Sequence, residues 1–147
     1  MRYLLKIVKP DSPNDWQAYH EIRKKVLWDE RGLQSYMYNH PDELKENNFP
    51  LLLFADTVPV GVIRVDLKKN GEAFFRKLAV TTTMQRKGYG TRLINAAELF
   101  AMEKGSVKVF AHVAINAIPF YKKMGYEFFY REKESSANPK MVKSLLD

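Results

Sequence analysis

The spacing of apolar and polar positions changes several times along the chain, and each change marks an element. Alternation over Arg2 to Val8 predicts a first strand, which Pro10 ends. Ser12-Pro13 then reads as an N-cap followed by proline at the first helical position, opening a helix from about Pro13 to Trp28. At helical spacing Trp16, Tyr19, Ile22 or Arg23, Val26 and Leu27 share one face. Gly32 to Asn39 is a loop carrying Tyr36, Met37 and Tyr38, and Asp42 to Asn47 is a short polar helix. The apolar run Pro50 to Ala55 predicts a strand, and Asp56-Thr-Val-Pro59 turns it into a second one over Val60 to Leu67. Asn70-Gly71 is a strong hairpin signal leading into a third, Glu72 to Val80, so these strands predict an antiparallel meander.

The period then returns to that of a helix. After Gln85-Arg-Lys-Gly-Tyr-Gly90, Leu93, Ala96, Ala97 and Phe100 recur on one face of a helix over Thr91 to Lys104, and Gly105 stops it. Ser106 to Val113 predicts a strand, and a helix-length crossover makes it parallel to the Glu72 strand. A second helix is expected over Ile115 to Met124, ended by Gly125. Strands over Tyr126 to Tyr130 and Lys140 to Leu145 close the sheet, with a polar linker from Glu132 to Pro139. The pattern is that of an α/β fold, and no repeat or boundary divides residues 1–147, so one domain is expected.

The strand, glycine-rich loop and helix that begin at Glu72 carry the candidate chemistry. Gly88 and Gly90 lack side chains that would hold a ligand off the backbone, and the first N–H groups of the following helix have no helical partner. Arg86 and Lys87 add full charges beside the positive end of the helix dipole, a combination that fits a pyrophosphate. The alternative is a plain helix entry, with glycines for turning and two solvated cations. A P-loop would need Lys and Ser or Thr after the glycine, where Tyr89 stands. A dinucleotide fold would need a small residue at Leu93 and an acid ending the next strand, where Ala111-His112-Val113 stands.

Leu78-Ala-Val80 followed by Gln85-Arg-Lys-Gly-Tyr-Gly90 resembles the acyl-CoA-binding segment of the GNAT superfamily of N-acetyltransferases, whose Gln/Arg-x-x-Gly-x-Gly/Ala pattern Gln85, Gly88 and Gly90 match. Asn116-Ala-Ile-Pro-Phe-Tyr-Lys-Lys-Met-Gly-Tyr126 resembles the family's later Ala-x-x-Phe-Tyr-x-x-x-Gly-Phe helix ending. The resemblance covers residues 50–131 closely and the N-terminal part loosely. It implies a mixed, largely antiparallel sheet of about seven strands flanked by helices, and acetyl-CoA as acyl donor. It implies that the Glu72 and Ser106 strands splay apart at their C-terminal ends to admit the acyl-CoA arm. The backbone of Leu78, Ala79 and Val80 would then bond the pantetheine amides. Gln85, Arg86, Lys87, Gly88, Tyr89, Gly90 and Thr91 would hold the pyrophosphate, with Asn116 and Phe120 as further contacts. Tyr121 maps onto the family's catalytic tyrosine, where a hydroxyl can protonate the departing thiolate. Tyr121 is also one of eight tyrosines, and the alternative is a core position. One departure stands out: many members carry an asparagine where this chain has Ala114, and Asn116 is not in register with it.

Composition narrows the picture further. No cysteine excludes disulfides, thiolate metal sites and a cysteine nucleophile, and three scattered histidines give no metal-ligand spacing. The start is too short in apolar residues for a signal peptide and no stretch suits a membrane span, so a cytoplasmic protein is expected. The formal charge of +7 comes from cations spread along the chain without an arginine-rich block, which argues against nucleic acid. A basic rim would equally steer coenzyme A. No general base announces itself among Glu21, Glu30, Glu72 and His112. The expectation is transfer of an acetyl group from acetyl-CoA to a primary amine on a small molecule or peptide, by a monomer or homodimer. The alternative is a module that binds acyl-CoA without turnover.

Overall fold

The computed structural model describes residues 5–29, 32, 36–38, 40–129 and 138–146. These hold strands β1 (Leu5–Val8), β2 (Asn48–Ala55), β3 (Val58–Leu67), β4 (Glu72–Val80), β5 (Lys108–His112), β6 (Glu127–Phe128) and β7 (Lys140–Ser144). Three α-helices join them: α1 (Pro13–Leu27), α2 (Tyr89–Glu103) and α3 (Ile118–Lys123). One sheet results, in the order β1-β2-β3-β4-β5-β7-β6. Every neighbouring pair is antiparallel except β4 and β5, which the α2 crossover makes parallel as the sequence predicts.

Local signals place most boundaries. The Ser12 side chain accepts from the Asp15 N–H at 3.1 Å, and Pro13 follows it into α1. Asn70-Gly71 turns β3 into β4, with Gly71 at φ 80°. The polar helix expected over Asp42 to Asn47 is a 3-10 turn at Pro41–Leu44. The helix expected over Ile115 to Met124 divides into a 3-10 turn at Ile115–Ala117 and the shorter α3. Pro119 explains the division: it suits the first turn of a helix and cannot donate to an earlier one. The expected strand residues Arg2 to Leu4 and Tyr130, and most of the Glu132–Pro139 linker, lie outside the described residues.

The two faces of the sheet pack differently. Leu51, Leu53, Ile63, Val65, Ala73 and Phe75 meet Leu93, Ile94, Ala97 and Ala101 of α2, and Tyr121 of α3 joins this apolar core. On the opposite face Tyr19, Ile22 and Leu27 of α1 cover Leu52, Val62 and Ala79. Because β3 is covered on both faces, residues 60 to 66 are all buried, Arg64 and Asp66 among them.

Candidate functional site

The parallel pair β4–β5 holds register only from Glu72↔Lys108 to Phe75↔Ala111. β5 ends at His112, while β4 runs on to Val80, so its last five residues, 76–80, continue past the register with β5. A bulge helps to part the strands. Val62 faces Ala79 and Arg64 faces Arg76, so Ile63 alone opposes both Lys77 and Leu78. Lys77 takes φ 59° there, and its Nζ lies 5.2 Å from the Trp28 ring centre at the end of α1.

Hydrogen-bond alternation decides which backbone groups face the gap. The Thr81 N–H donates to the Val60 carbonyl at 2.9 Å, so the next residue turned to β3 is Ala79, opposite Val62. Val80, between them, turns its N–H and carbonyl to the open side, and the Gln85 side-chain amide donates to that carbonyl at 2.9 Å. Of the three residues expected to bond a pantetheine arm, Val80 therefore presents its backbone to the gap. Ala79 gives its backbone to β3 and its side chain to the α1-face core, and Leu78 lies in the bulge with its side chain half-buried.

The loop beyond β4 combines two left-handed residues, Arg86 at φ 64° and Gly88 at φ 86°, before α2 begins. The first intrahelical bond comes from Arg92 to the Gly88 carbonyl. The N–H groups of Tyr89, Gly90 and Thr91 therefore converge at the helix start without helical acceptors, beside the exposed Gln85, Arg86 and Lys87. The two glycines differ in purpose. A Cβ on Gly88 would meet nothing within 4 Å, so the left-handed backbone is what favours glycine there. A Cβ on Gly90 would sit 3.4 Å from Phe120 Cζ, an ordinary contact, so the space toward α3 admits little beyond a methyl group. The Tyr89 side chain is buried in the core, leaving only its backbone for a ligand, and Asn116 is exposed in the 3-10 turn.

Tyr121 is 7% exposed, edge-on to Phe120 at 5.4 Å and to Tyr126 at 5.2 Å between ring centres. Its hydroxyl has no hydrogen-bond partner among the described residues, and burial pushes its pKa well above the ordinary tyrosine value. The group is thus a protonated donor without an internal acceptor. Tyr126 differs, because its hydroxyl donates to Glu98 at 2.8 Å and Glu98 also binds Lys143 at 2.9 Å.

Sequence reasoning missed an ionic network under α1. Glu43 pairs with Arg23 and, at 3.3 Å, with Arg64. Arg64 grips Asp66 through two bonds of 2.7 and 2.8 Å, and Arg76 reaches Asp66 at 3.4 Å. Alternation of Arg64 and Asp66 in an otherwise apolar strand was the available signal. Beside the network, Tyr36 packs on His20 and Trp28, and its hydroxyl lies 2.6 Å from His20 Nδ1. Met37 and Tyr38 of the same loop remain half-exposed. Two of the possible bases stay apart from the gap: Glu72 opens β4 at the far end of its pairing, and Glu21 accepts from Gln17 on the surface of α1. His112 is exposed at the last position of β5, beside the gap, and Glu30 lies outside the described residues.

An open mixed sheet whose central parallel strands part above a glycine-rich helix entry is the architecture that the resemblance to the GNAT superfamily implies. The chain belongs to the acetyltransferase (GNAT) family, whose model matches residues 2–126. It is 27% identical over 123 residues to "Putative acetyltransferase BSU40680" of Bacillus subtilis (strain 168), a match covering 83% of each chain. Its fold is that of an aminoglycoside 6'-N-acetyltransferase solved with coenzyme A, at TM-score 0.80 and 15% identity over 97% of this chain and 98% of that one. It is also that of the PaiA N-acetyltransferase of Thermoplasma acidophilum in complex with coenzyme A, at TM-score 0.78 and 21% identity, covering 96% and 99%. The ribosomal-protein-S18-alanine N-acetyltransferase of Escherichia coli superposes at TM-score 0.77 and 15% identity, covering 97% and 94%. The expected fold and family both hold. Among the described residues, no helix is long and apolar enough to cross a membrane.

Proposed function

We propose that the chain acts as one domain that transfers an acetyl group from acetyl-CoA to a primary amine held in the same cleft. The observation that carries this reading is the parting of β4 from β5, with the Val80 N–H open toward the gap and the start of α2 just beyond it. Acetyl-CoA fits these residues. The Val80 backbone, with Leu78 beside it, takes the amides of the arm as a further strand would. The N–H groups of Tyr89, Gly90 and Thr91, with Gln85, Arg86 and Lys87, take the pyrophosphate. Phe120 and Asn116 flank the entry.

When bound, acetyl-CoA supplies an activated thioester. The chain supplies position and a proton. Holding both reactants in one cleft removes much of the entropic barrier to their encounter. Tyr121 donates its hydroxyl proton, or a hydrogen bond, to the sulfur as the C–N bond forms and the C–S bond breaks. Its raised pKa keeps that proton in place at neutral pH. The incoming amine gives its own proton to water. We assign the protein to the cytoplasm, as a monomer or homodimer, with a small-molecule or peptide acceptor and no nucleic-acid partner.

Release of free CoA from acetyl-CoA across a panel of amines, including small amines, antibiotics, peptide N-termini and lysine side chains, tests the reading. At least one amine should accelerate release in proportion to enzyme. Tight acetyl-CoA binding with no release on any amine would leave a non-catalytic acyl-CoA sensor instead.

A further inference from the structure

The α1 helix covers β2 to β4, but the same face continues beyond it. Asp66, Phe74, Arg76, Phe110 and Lys140 share that continuation by strand parity and register. Phe74 and Phe110 stack across the parallel pair at 5.2 Å, and Phe129 meets Phe110 edge-on at 5.1 Å. Three cations gather over this aromatic floor. Measured to the Phe74 ring centre, Arg76 Cζ lies at 4.8 Å, Lys140 Nζ at 5.4 Å and Lys68 Nζ at 5.7 Å. Lys140 also lies 4.7 Å from the Phe110 centre.

Among the described residues, only Arg76 of the three has a carboxylate within 4 Å. Asp66 is held by both bonds from Arg64 and reaches Arg76 only at 3.4 Å. Lys68 and Lys140 have no carboxylate partner among the described residues. Glu72, two positions before Phe74 on the same face, stands between Lys108 of β5 and Lys68, whose N–H donates to the Glu72 carbonyl at 2.8 Å, and among the described residues its carboxylate pairs with neither. Ring faces attract each cation weakly, but they do not remove the repulsion among three like charges around one ring. Arg76 is anchored, through Asp66 and Arg64, to the buried Glu43. The cluster also sits at the mouth of the gap: Phe74↔Phe110 is the pair before the last one in register, and Lys140 stands opposite His112.

We infer that this cluster is an anion seat for the acceptor, so the amine substrate carries a carboxylate or phosphate of its own. This rests on the acyl-transfer reading above and deepens it. The seat lies on the α1 face of the sheet, while Tyr121 packs on the other face, so the acceptor enters the gap opposite the proton donor. Polycationic amines are disfavoured by the same charges.

The test uses matched peptides, Ala-Glu-Glu amide and Ala-Gln-Gln amide, which differ in charge and hardly in shape. Binding is read without turnover by amide chemical shifts, using the N-acetylated forms with CoA present. The acetylated acidic peptide should bind at least tenfold tighter, shift Phe74, Phe110 and Lys140, and weaken as salt rises. Lys140→Gln and Arg76→Gln should each reduce that affinity severalfold and leave the Gln peptide unaffected. In turnover, the same substitutions should raise KM for the acidic amine and not for acetyl-CoA. Equal binding of the two peptides, or an effect confined to acetyl-CoA, overturns the seat. If acidic peptides bind as expected while no amine releases CoA, the seat stands and acyl transfer falls. If spermidine turns over as well as Ala-Glu-Glu amide, the transfer stands and the seat falls.

Discussion

The two faces of the sheet are stabilised by different means. Toward α2 the contact is almost wholly apolar, and the ionic group found there among the described residues, Glu98 with Lys143 and Tyr126, sits at the margin. Toward α1 a smaller apolar patch adjoins a buried chain of charges from Arg23 to Asp66. An apolar face tolerates truncation by partial collapse, whereas a buried charge that loses its partner cannot relax. The face that carries the aromatic loop and the half-exposed Arg76 is therefore the one whose geometry depends most on single residues.

Glu43→Ala breaks that contrast most severely. It leaves Arg23 and Arg64 buried without their shared carboxylate, and about 3–5 kcal/mol of stability should be lost. Urea denaturation measures this, and a loss no larger than a surface substitution would show the network to be marginal. On the opposite face, Glu98→Ala strands Lys143 and the Tyr126 hydroxyl nearer to solvent and should cost less, about 1–3 kcal/mol.

The glycine-rich loop gives a middle-sized effect on binding rather than stability. Arg86→Ala should weaken acetyl-CoA by about 1 kcal/mol, the scale of one exposed charge-assisted contact. Gly90→Val should weaken it more, because branching there pushes on Phe120 and displaces the start of α2. Calorimetric titration reads both, and indifference to both would move the pyrophosphate elsewhere.

The smallest effect is in pH. His20 is buried, and that burial holds its pKa below the ordinary histidine value. The unfolded chain therefore binds the proton more readily, so this contribution is full above about pH 6.5 and is lost as pH falls below it. His20→Gln should flatten the loss of urea stability between about pH 7 and 5. An unchanged slope would assign the acid sensitivity to carboxylates.

Legibility in the sequence divided along the same line. Period and turn chemistry gave the meander, the crossover and the α2 face, because apolar burial leaves a periodic trace. Pro119 carried a helix-start signal inside the expected Ile115 to Met124 helix, and the division there was readable but missed. Of the Arg23–Glu43–Arg64–Asp66 network only the Arg64 and Asp66 end left a trace in the sequence, because the other links join residues 20 or more apart. The distinct purposes of Gly88 and Gly90 were also hidden, since one answers to φ and the other to a neighbour from α3. The family resemblance supplied Leu78, Ala79 and Val80 as a group, and only hydrogen-bond alternation separates Val80 from Ala79.

Tyr121→Phe isolates the hydroxyl as proton donor, since it deletes one oxygen from a ring held by Phe120 and Tyr126. The oxygen has no hydrogen-bond partner among the described residues, so stability and acetyl-CoA affinity should stay within experimental error. Turnover on an accepted amine should fall by roughly ten- to a thousand-fold, in kcat more than in KM. Undiminished kcat in a stably folded Tyr121→Phe protein would take the proton-donor role from Tyr121 and return it to water.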